Sequence, residues 1–151
     1  MNVENEMVVR FPSLSKNEGF ARSAAAAFAA QLDPTLDELG DIKTSVSEAV
    51  TNCIVHAYPN EIGEVTIKMR VLPERVLEIT VKDAGCGIED VEQARQPLYT
   101  TGGEERSGMG ITIMESFMNE LRIKSTLGKG TSVRMRKRII SRREPTCAQS
   151  S

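Results

Sequence analysis

Glu48 and Asn52 are polar residues four positions apart in the run Ser47-Glu-Ala-Val-Thr-Asn52. On an α-helix this spacing places both side chains on one face, one turn apart, and Ser45 and His56 are predicted to continue the same polar edge. A carboxylate and a carboxamide at this spacing can hold magnesium, which prefers oxygen ligands and keeps several waters. The carboxylate can alternatively accept a proton from an attacking hydroxyl. Taken alone, the pair is also typical of a solvated helix surface.

Three glycine-containing runs follow along the chain. Asp83-Ala-Gly-Cys-Gly87 comes directly after a predicted strand. Its glycines permit close backbone approaches, and its aspartate offers an acceptor suited to the exocyclic amine of a purine. Ser107-Gly-Met-Gly110 precedes a predicted helix, and free N–H groups at a helix N-terminus attract phosphate. Gly128-Lys-Gly-Thr131 is typical of a hairpin turn. Each run, taken alone, is equally well explained as an ordinary turn or loop.

The familiar phosphate-binding motifs are missing. The chain has no Gly-x-x-x-x-Gly-Lys-Ser/Thr, no His-Arg-Asp and no Asp-Phe-Gly. Its glycines do not match the dinucleotide fingerprint, which requires Gly-x-Gly-x-x-Gly at the start of a helix. These absences exclude the commonest ATP-binding folds, although they do not exclude ATP.

The periodicity of apolar residues predicts the elements that position these groups. Apolar residues recur at helical spacing from Leu36 to Ala57, so this helix buries one stripe and carries Glu48 off that stripe. Alternation at 65–71 and 77–81 predicts a hairpin. The other predicted elements are a strand at 7–11, a helix from 15 to about 30, a loop at 88–107 with a short helix near 91–95, a helix at 108–119 and strands at 121–125 and 132–140. Antiparallel strands with segregated helices are typical of a two-layer α/β sandwich.

Capping residues predict where the first two helices begin. Ser15 can cap the first helix, because Glu18 follows three residues later. Asp33 is expected to cap the second helix, with Pro34 at the first helical position.

Composition limits the class of protein. The 151 residues, 40 % hydrophobic and 26 % charged, are typical of one soluble globular domain. The net charge of −2 gives no general argument for nucleic-acid or membrane binding. A basic cluster at 134–143 is interpreted either as a solvated strand and tail or as a polyanion-binding patch. Because the chain shows neither a secretory leader nor a long apolar run, we expect it to be cytoplasmic.

The three cysteines, Cys53, Cys86 and Cys147, stand far apart. Their odd number and the lack of a Cys-x-x-Cys pair argue against a disulfide framework or a zinc site. Cys53 lies in an apolar stretch and is predicted to be a small core residue.

The motifs, in this order, resemble the GHKL superfamily, whose ATP-binding (Bergerat) fold is shared by gyrase, Hsp90, MutL and histidine kinases. Glu48-Ala-Val-Thr-Asn52 is similar to its N box and Asp83-Ala-Gly-Cys-Gly87 to its first glycine box. Gly108-Met-Gly110 is similar to the second glycine box, and Gly130-Thr131 to the Gly-Thr that ends the site. The resemblance covers about residues 7–139. It implies a two-layer α/β sandwich with a mixed, mostly antiparallel sheet and helices on one face, in a domain at 1–140 with an ATP lid at about 88–107. Residues 141–151 are expected to form a disordered tail.

A closer resemblance is to the anti-sigma F factors of bacterial sporulation. It rests on the N box together with Gln31-Leu-Asp-Pro34, Ala94-Arg-Gln-Pro-Leu98, Thr100-Thr101 and Glu105-Arg-Ser-Gly-Met-Gly110. It implies a homodimeric, ATP-dependent protein serine/threonine kinase that binds and inhibits sigma factor F and phosphorylates a serine of its anti-anti-sigma factor. Direct contact with nucleic acid or membrane is not expected. The alternatives are an anti-sigma B type stress-response kinase, the catalytic domain of a histidine kinase, and a binding module with structural ATP.

The resemblance also implies a role for each matched residue. Glu48 is expected to be the catalytic base, Asn52 the Mg²⁺ ligand and Asp83 the acceptor from the adenine amine. Arg22 matches a docking position for both partner proteins. Gly102-Gly103 stands where a basic residue and proline are expected in the lid, so a lid contact to the γ-phosphate falls to Arg106. The residues expected to bind ATP are Asn52, Asp83, Gly85, Gly87, Thr100, Thr101, Arg106, Ser107, Gly108, Met109, Gly110 and Thr131.

Overall fold

The computed structural model describes residues 2–88, 90–91 and 110–140. The regular elements in chain order are β1 (Asn5–Pro12), α1 (Glu18–Ala29), α2 (Leu36–Asn52), β2 (Glu64–Leu72), β3 (Val76–Asp83), α3 (Ile111–Phe117), β4 (Glu120–Thr126) and β5 (Gly130–Arg138). Short 3₁₀ turns at Ser15–Asn17 and Ala30–Leu32 flank α1, and a π-turn at Cys53–Ala57 extends α2. The predicted hairpin and last strands are present, with bounds that differ by a few residues.

The five strands form one sheet in the order β1-β2-β3-β5-β4. Every pairing in the described part of the chain is antiparallel, with Ile67 opposite Val81 and Val81 opposite Val133. These three residues are buried on the sheet face that the helices cover. The opposite face carries charged pairs, such as Arg136 with Glu78 at 2.9 Å. The predicted two-layer α/β sandwich with helices on one face is therefore confirmed.

Helix α2 supplies most of the helical side of the core. Ile42, Val46 and Val50 are each fully buried, as the predicted apolar stripe requires. Ala21 and Ala25 of α1 are also buried, and their small side chains let α1 pack closely on α2. One prediction about α2 is wrong. Ser45 lies on the buried stripe, not on a polar edge with Glu48, because it stands three residues after Ile42 and one turn before Ala49.

Both predicted helix caps are wrong. Thr35, not Asp33, caps α2: its side chain accepts from Glu38 N at 3.0 Å, and Glu38 Oε1 accepts from Thr35 N at 2.8 Å. Asp33 adopts left-handed angles (φ 52°) and ends the preceding 3₁₀ turn, which places it two residues before the cap. Ser15 begins a 3₁₀ turn, and α1 starts after Asn17 without a side-chain capping bond.

The basic residues at the end of the chain are paired where the structure describes them. Ion pairs join Arg134 to Glu120, Arg136 to Glu78, Lys137 to Asp41 and Arg138 to Glu74. This pairing favours the solvated-strand interpretation over a polyanion-binding patch for β5. The tail at 141–151 and most of the predicted lid, including residues 92–95 of its short helix, lie outside the described residues.

Candidate nucleotide site

Glu48 and Asn52 occupy the last two turns of α2, and both are half-buried. Glu48 lies directly against Gly110, where a β-carbon would stand 2.0 Å from Glu48 Oε1. Gly110 has left-handed backbone angles (φ 66°) and caps α3. The carboxylate of the first motif therefore meets the last residue of the second glycine run, although the two are 62 positions apart in the sequence numbering.

The end of α2 is joined to the end of β3 by main-chain and hydroxyl hydrogen bonds. After Asn52 the helix widens into the π-turn Cys53–Ala57, closed by Tyr58 N donating to Cys53 O at 3.1 Å. Ala57 O accepts from Cys86 N at 3.1 Å. The Tyr58 hydroxyl accepts from Ala84 N at 2.7 Å and donates to Glu64 O at 2.9 Å. Single π-turns in helices frequently mark functional sites, and this one fixes the helix beside the Asp83 loop.

The two carboxylate oxygens of Asp83 have different partners. Oδ1 accepts from Gly85 N at 2.9 Å and from Thr131 N at 3.2 Å. Oδ2 accepts from the Cys53 thiol at 3.5 Å. The strand-end carboxylate is thus held by its own loop, by the start of β5 and by α2.

The glycines of this loop are required by contacts within the chain. A β-carbon at Gly85 would lie 2.3 Å from Ala57 O. At Gly87 (φ 79°) it would lie 2.4 Å from Thr126 O, and at Gly130 it would lie 2.2 Å from Asp83 O. Because these neighbours are backbone atoms, no side chain could be accommodated by a rotamer change.

Asn52 and Asp83 line one cleft between the helices and the sheet. Apolar side chains from α2, α3 and the strands form most of its walls, which suits a planar base. The lining residues are Ala49, Asn52, Cys53, His56, Ala57, Val81, Asp83, Gly87, Ile88, Ile111, Met114, Ile123, Thr131 and Val133. The described residues contain no group of three or more His, Cys, Asp or Glu that could hold a metal ion. Asn52 would contribute one carboxamide oxygen to magnesium in this cleft, and phosphates and water would supply the remaining ligands.

Burial shifts the pKa values of groups around the cleft. Partial burial against the cleft wall lowers the pKa of His56, although much of the residue stays exposed. Burial, reinforced by the neighbouring Asp83 carboxylate, raises the pKa of the Cys53 thiol, which is therefore protonated at neutral pH. Burial also raises the pKa of Tyr58.

The structure brings some of the expected site residues together and leaves others undescribed. Asn52, Asp83, Gly87 and Thr131 line the cleft, while Gly85 and Gly110 shape its surroundings. Outside the described residues lie Thr100, Thr101, Arg106, Ser107, Gly108 and Met109. The roles of all these residues stay predictions.

Arg22 lies outside the cleft wall, whereas Cys53 forms part of it. Arg22 lies on α1, where it forms an ion pair with Glu18 at 3.0 Å and keeps 41 % of its side chain exposed. Cys53 is buried, as predicted, and it also forms part of the cleft wall, which its apolar neighbours in the sequence do not indicate. The sequence signal for this position is that Cys53 directly follows Asn52.

Sequence comparisons identify the family of this chain. Residues 11–137 match the family model described as "Histidine kinase-like ATPase domain". An anti-sigma F factor from Caldanaerobacter subterraneus subsp. tengcongensis is 59 % identical over 140 residues, which cover 92 % of this chain and 97 % of that protein. An anti-sigma F factor from Geobacillus sp. (strain WCH70) is 54 % identical over 138 residues, which cover 91 % of this chain and 94 % of the relative.

Solved structures show the same fold at low identity. The RsbU and RsbW domains of a Mycobacterium tuberculosis protein match with a TM-score of 0.65 and 17 % identity, over 89 % of this chain and 32 % of that chain. The mycobacterial sensor histidine kinase MprB matches with a TM-score of 0.55 and 13 % identity, over 89 % of this chain and all (100 %) of that chain. In the described part of the chain, no helix is both long and apolar enough to span a membrane.

Proposed function

Since this chain belongs to the histidine kinase-like ATPase family and, within it, to the anti-sigma F factors, we propose that it binds and inhibits sigma factor F and uses ATP to phosphorylate a serine of its anti-anti-sigma factor. The observation that carries the catalytic half of this proposal is the contact between Glu48 and Gly110. It sets a carboxylate beside the turn whose main chain is proposed to bind the transferring phosphate.

The proposed site has a base end and a phosphate end. Asp83 accepts a hydrogen bond from the adenine amine, and the apolar cleft walls enclose the ring. Asn52 would hold magnesium, which would supply positive charge beside the phosphates. The Gly110 amide would bind the phosphates together with Thr100, Thr101 and residues 106–109, whose role is predicted from the sequence alone.

Glu48 is the proposed base. It orients the substrate serine hydroxyl and accepts its proton while the serine oxygen attacks the γ-phosphorus and ADP leaves. Because the carboxylate packs against Gly110, its distance from the phosphate-binding turn is restrained. Such restraint favours in-line transfer, since a small misplacement of a reacting group can cost about 100-fold in rate.

The proposed partner contacts use surfaces away from the cleft. Arg22 would dock sigma factor F and the anti-anti-sigma factor, and its exposed guanidinium is available on α1. For the proposed homodimer, β1 is a suitable surface because, within the described residues, it pairs only with β2 and leaves its outer edge open. Met7 and Val8 on this strand are exposed.

The test is phosphate transfer to the anti-anti-sigma factor of the same organism with labelled ATP and magnesium. Glu48→Ala should still bind ATP but lose transfer by at least about 100-fold, which is the contribution of a positioned base. Asp37→Ala is the matched control, because it removes an exposed carboxylate from the first turn of the same helix. Near wild-type turnover by Glu48→Ala would refute the base assignment, and absence of any labelled serine with the wild-type protein would refute the kinase.

A further inference from the structure

Cys53 is a cleft residue to which the proposed chemistry gives no role. Its side chain is 3 % exposed and forms part of the cleft wall one residue after Asn52. Its thiol lies 3.5 Å from Asp83 Oδ2, across the gap between α2 and β3. Packing in the core does not require a polar contact, so the contact between the thiol and the carboxylate indicates a further role for Cys53.

The Cys53 thiol contacts Oδ2 of Asp83, whereas the backbone N–H groups contact Oδ1. Oδ1 accepts from two backbone N–H groups, those of Gly85 and Thr131, and these are fixed by the loop and by β5. These two hydrogen bonds fix the position of Oδ1, but neither of them contacts Oδ2. The thiol contact restrains Oδ2, and Oδ2 is the oxygen remaining for a ligand in the cleft.

The π-turn is what brings the thiol to this oxygen. Cys53 is its first residue, and its carbonyl accepts the closing bond from Tyr58 N at 3.1 Å. Tyr58 in turn is tied to Ala84, the residue after Asp83, by a 2.7 Å hydrogen bond. The thiol and the carboxylate are therefore held by two connected segments, and their separation is built into the fold.

We propose that Cys53 is a positioning residue for purine recognition: its S–H orients Asp83 Oδ2 to accept from a 6-amino group, and so increases discrimination against 6-oxo purines. This inference rests on the proposed role of Asp83 toward the base. The carboxylate oxygen can accept both the thiol hydrogen and one ligand hydrogen, because it has two lone pairs. A 6-oxo purine places an acceptor opposite this acceptor, which is unfavourable.

The test compares equilibrium binding of ATP and ITP, each with magnesium, to the full chain by calorimetry. Cys53→Ala should weaken ATP binding by about 3- to 10-fold, the range expected for one modest hydrogen bond, and change ITP binding by less than about twofold. Cys53→Ser keeps a donor at this position and should restore most of the preference for ATP. Val50→Ala is the matched control, because it truncates a buried α2 residue outside the cleft wall and should leave the ATP-to-ITP ratio unchanged.

Asp83→Asn separates this inference from the proposed function. Asn offers an N–H where Oδ2 accepts, so the preference should move toward ITP. If Asp83→Asn leaves the ratio unchanged, the base-recognition role of Asp83 fails, and the inference fails with it. If Asp83→Asn shifts the ratio while Cys53→Ala does not, or while Cys53→Ala weakens both nucleotides equally, only the role of Cys53 is overturned. Equal ratios for Cys53→Ala and Cys53→Ser, both below wild type, would also overturn it, because sulfur volume rather than the donor would then be responsible.

Discussion

Gly110→Ala tests whether the contact between Glu48 and the second glycine run matters for catalysis. The added methyl would lie 2.0 Å from Glu48 Oε1 and 2.8 Å from its Cδ. The obstacle is the flexible end of a side chain, so the carboxylate, rather than the backbone, is expected to give way. It must move by about 1 Å or more to restore an ordinary contact, a displacement that can cost about 100-fold in rate.

The same substitution has a backbone cost that must be separated from this effect. Gly110 has φ 66°, where a side chain costs about 1 kcal/mol. For a chain of this size that cost lowers the melting temperature by about 2–4 °C. Gly128→Ala is the matched control: Gly128 has φ 80° at the tip of a hairpin, and a methyl there meets nothing within 4 Å.

Three measurements decide the outcome. Both variants should melt slightly below wild type and bind ATP normally, because alanine retains the backbone N–H. Only Gly110→Ala should lose phosphate transfer, by about 100-fold, and combining it with Glu48→Ala should cause little further loss. Equal turnover by Gly110→Ala and Gly128→Ala would refute the claim that Gly110 positions the base.

Three other predictions follow from contacts outside the phosphate end. Arg22→Glu should weaken the complexes with both proposed partners without changing ATP affinity, whereas Glu18→Ala, which breaks only the intrahelical ion pair, should preserve them in a binding assay. Thr35→Ala should lower stability by about 1 kcal/mol through loss of the capping box, seen as a lower denaturation midpoint with unchanged nucleotide affinity. Partial burial lowers the pKa of His56, although the residue stays largely exposed, so protonating the ring costs the folded state a small amount of stability as the pH falls below about 6.5. Replacing His56 with Gln should slightly flatten the fall in melting temperature below about pH 6.5, and an unchanged slope would contradict this assignment.

The fold was predictable because its signals are periodic. Alternation at β2 and β3 and the apolar stripe of α2 each repeat over several turns or pairs, so a single atypical residue does not hide them. The caps were not predictable in the same way, since Asp33 and Thr35 are both good capping residues two positions apart. In the structure Asp33 adopts a left-handed conformation, which differs from the extended conformation of an N-cap residue, and Thr35 is the cap.

The candidate site was predictable only in part. Motif spacing predicts Asn52, Asp83, Gly87 and Thr131, and all four line one cleft. Ser45 is polar, but its position on the helix places it on the buried stripe. Its buried hydroxyl shows that side-chain chemistry alone does not tell which helix face a small residue occupies.

The proposed base recognition would depend on two structural features, and the sequence reveals one of them more readily than the other. Gly85 and Gly130 allow two backbone segments to approach closely, and this approach brings the Gly85 and Thr131 amides to one oxygen of Asp83. A glycine-containing run directly after a strand indicates this close approach of the backbone from the sequence alone. The orientation of the second carboxylate oxygen is proposed to depend on the Cys53 thiol, which contacts it at the point where α2 widens into a π-turn. No sequence periodicity predicts such a π-turn. From the sequence, a cysteine in an apolar stretch is therefore interpreted as a core residue, and its contact with Asp83 becomes evident only from the structure.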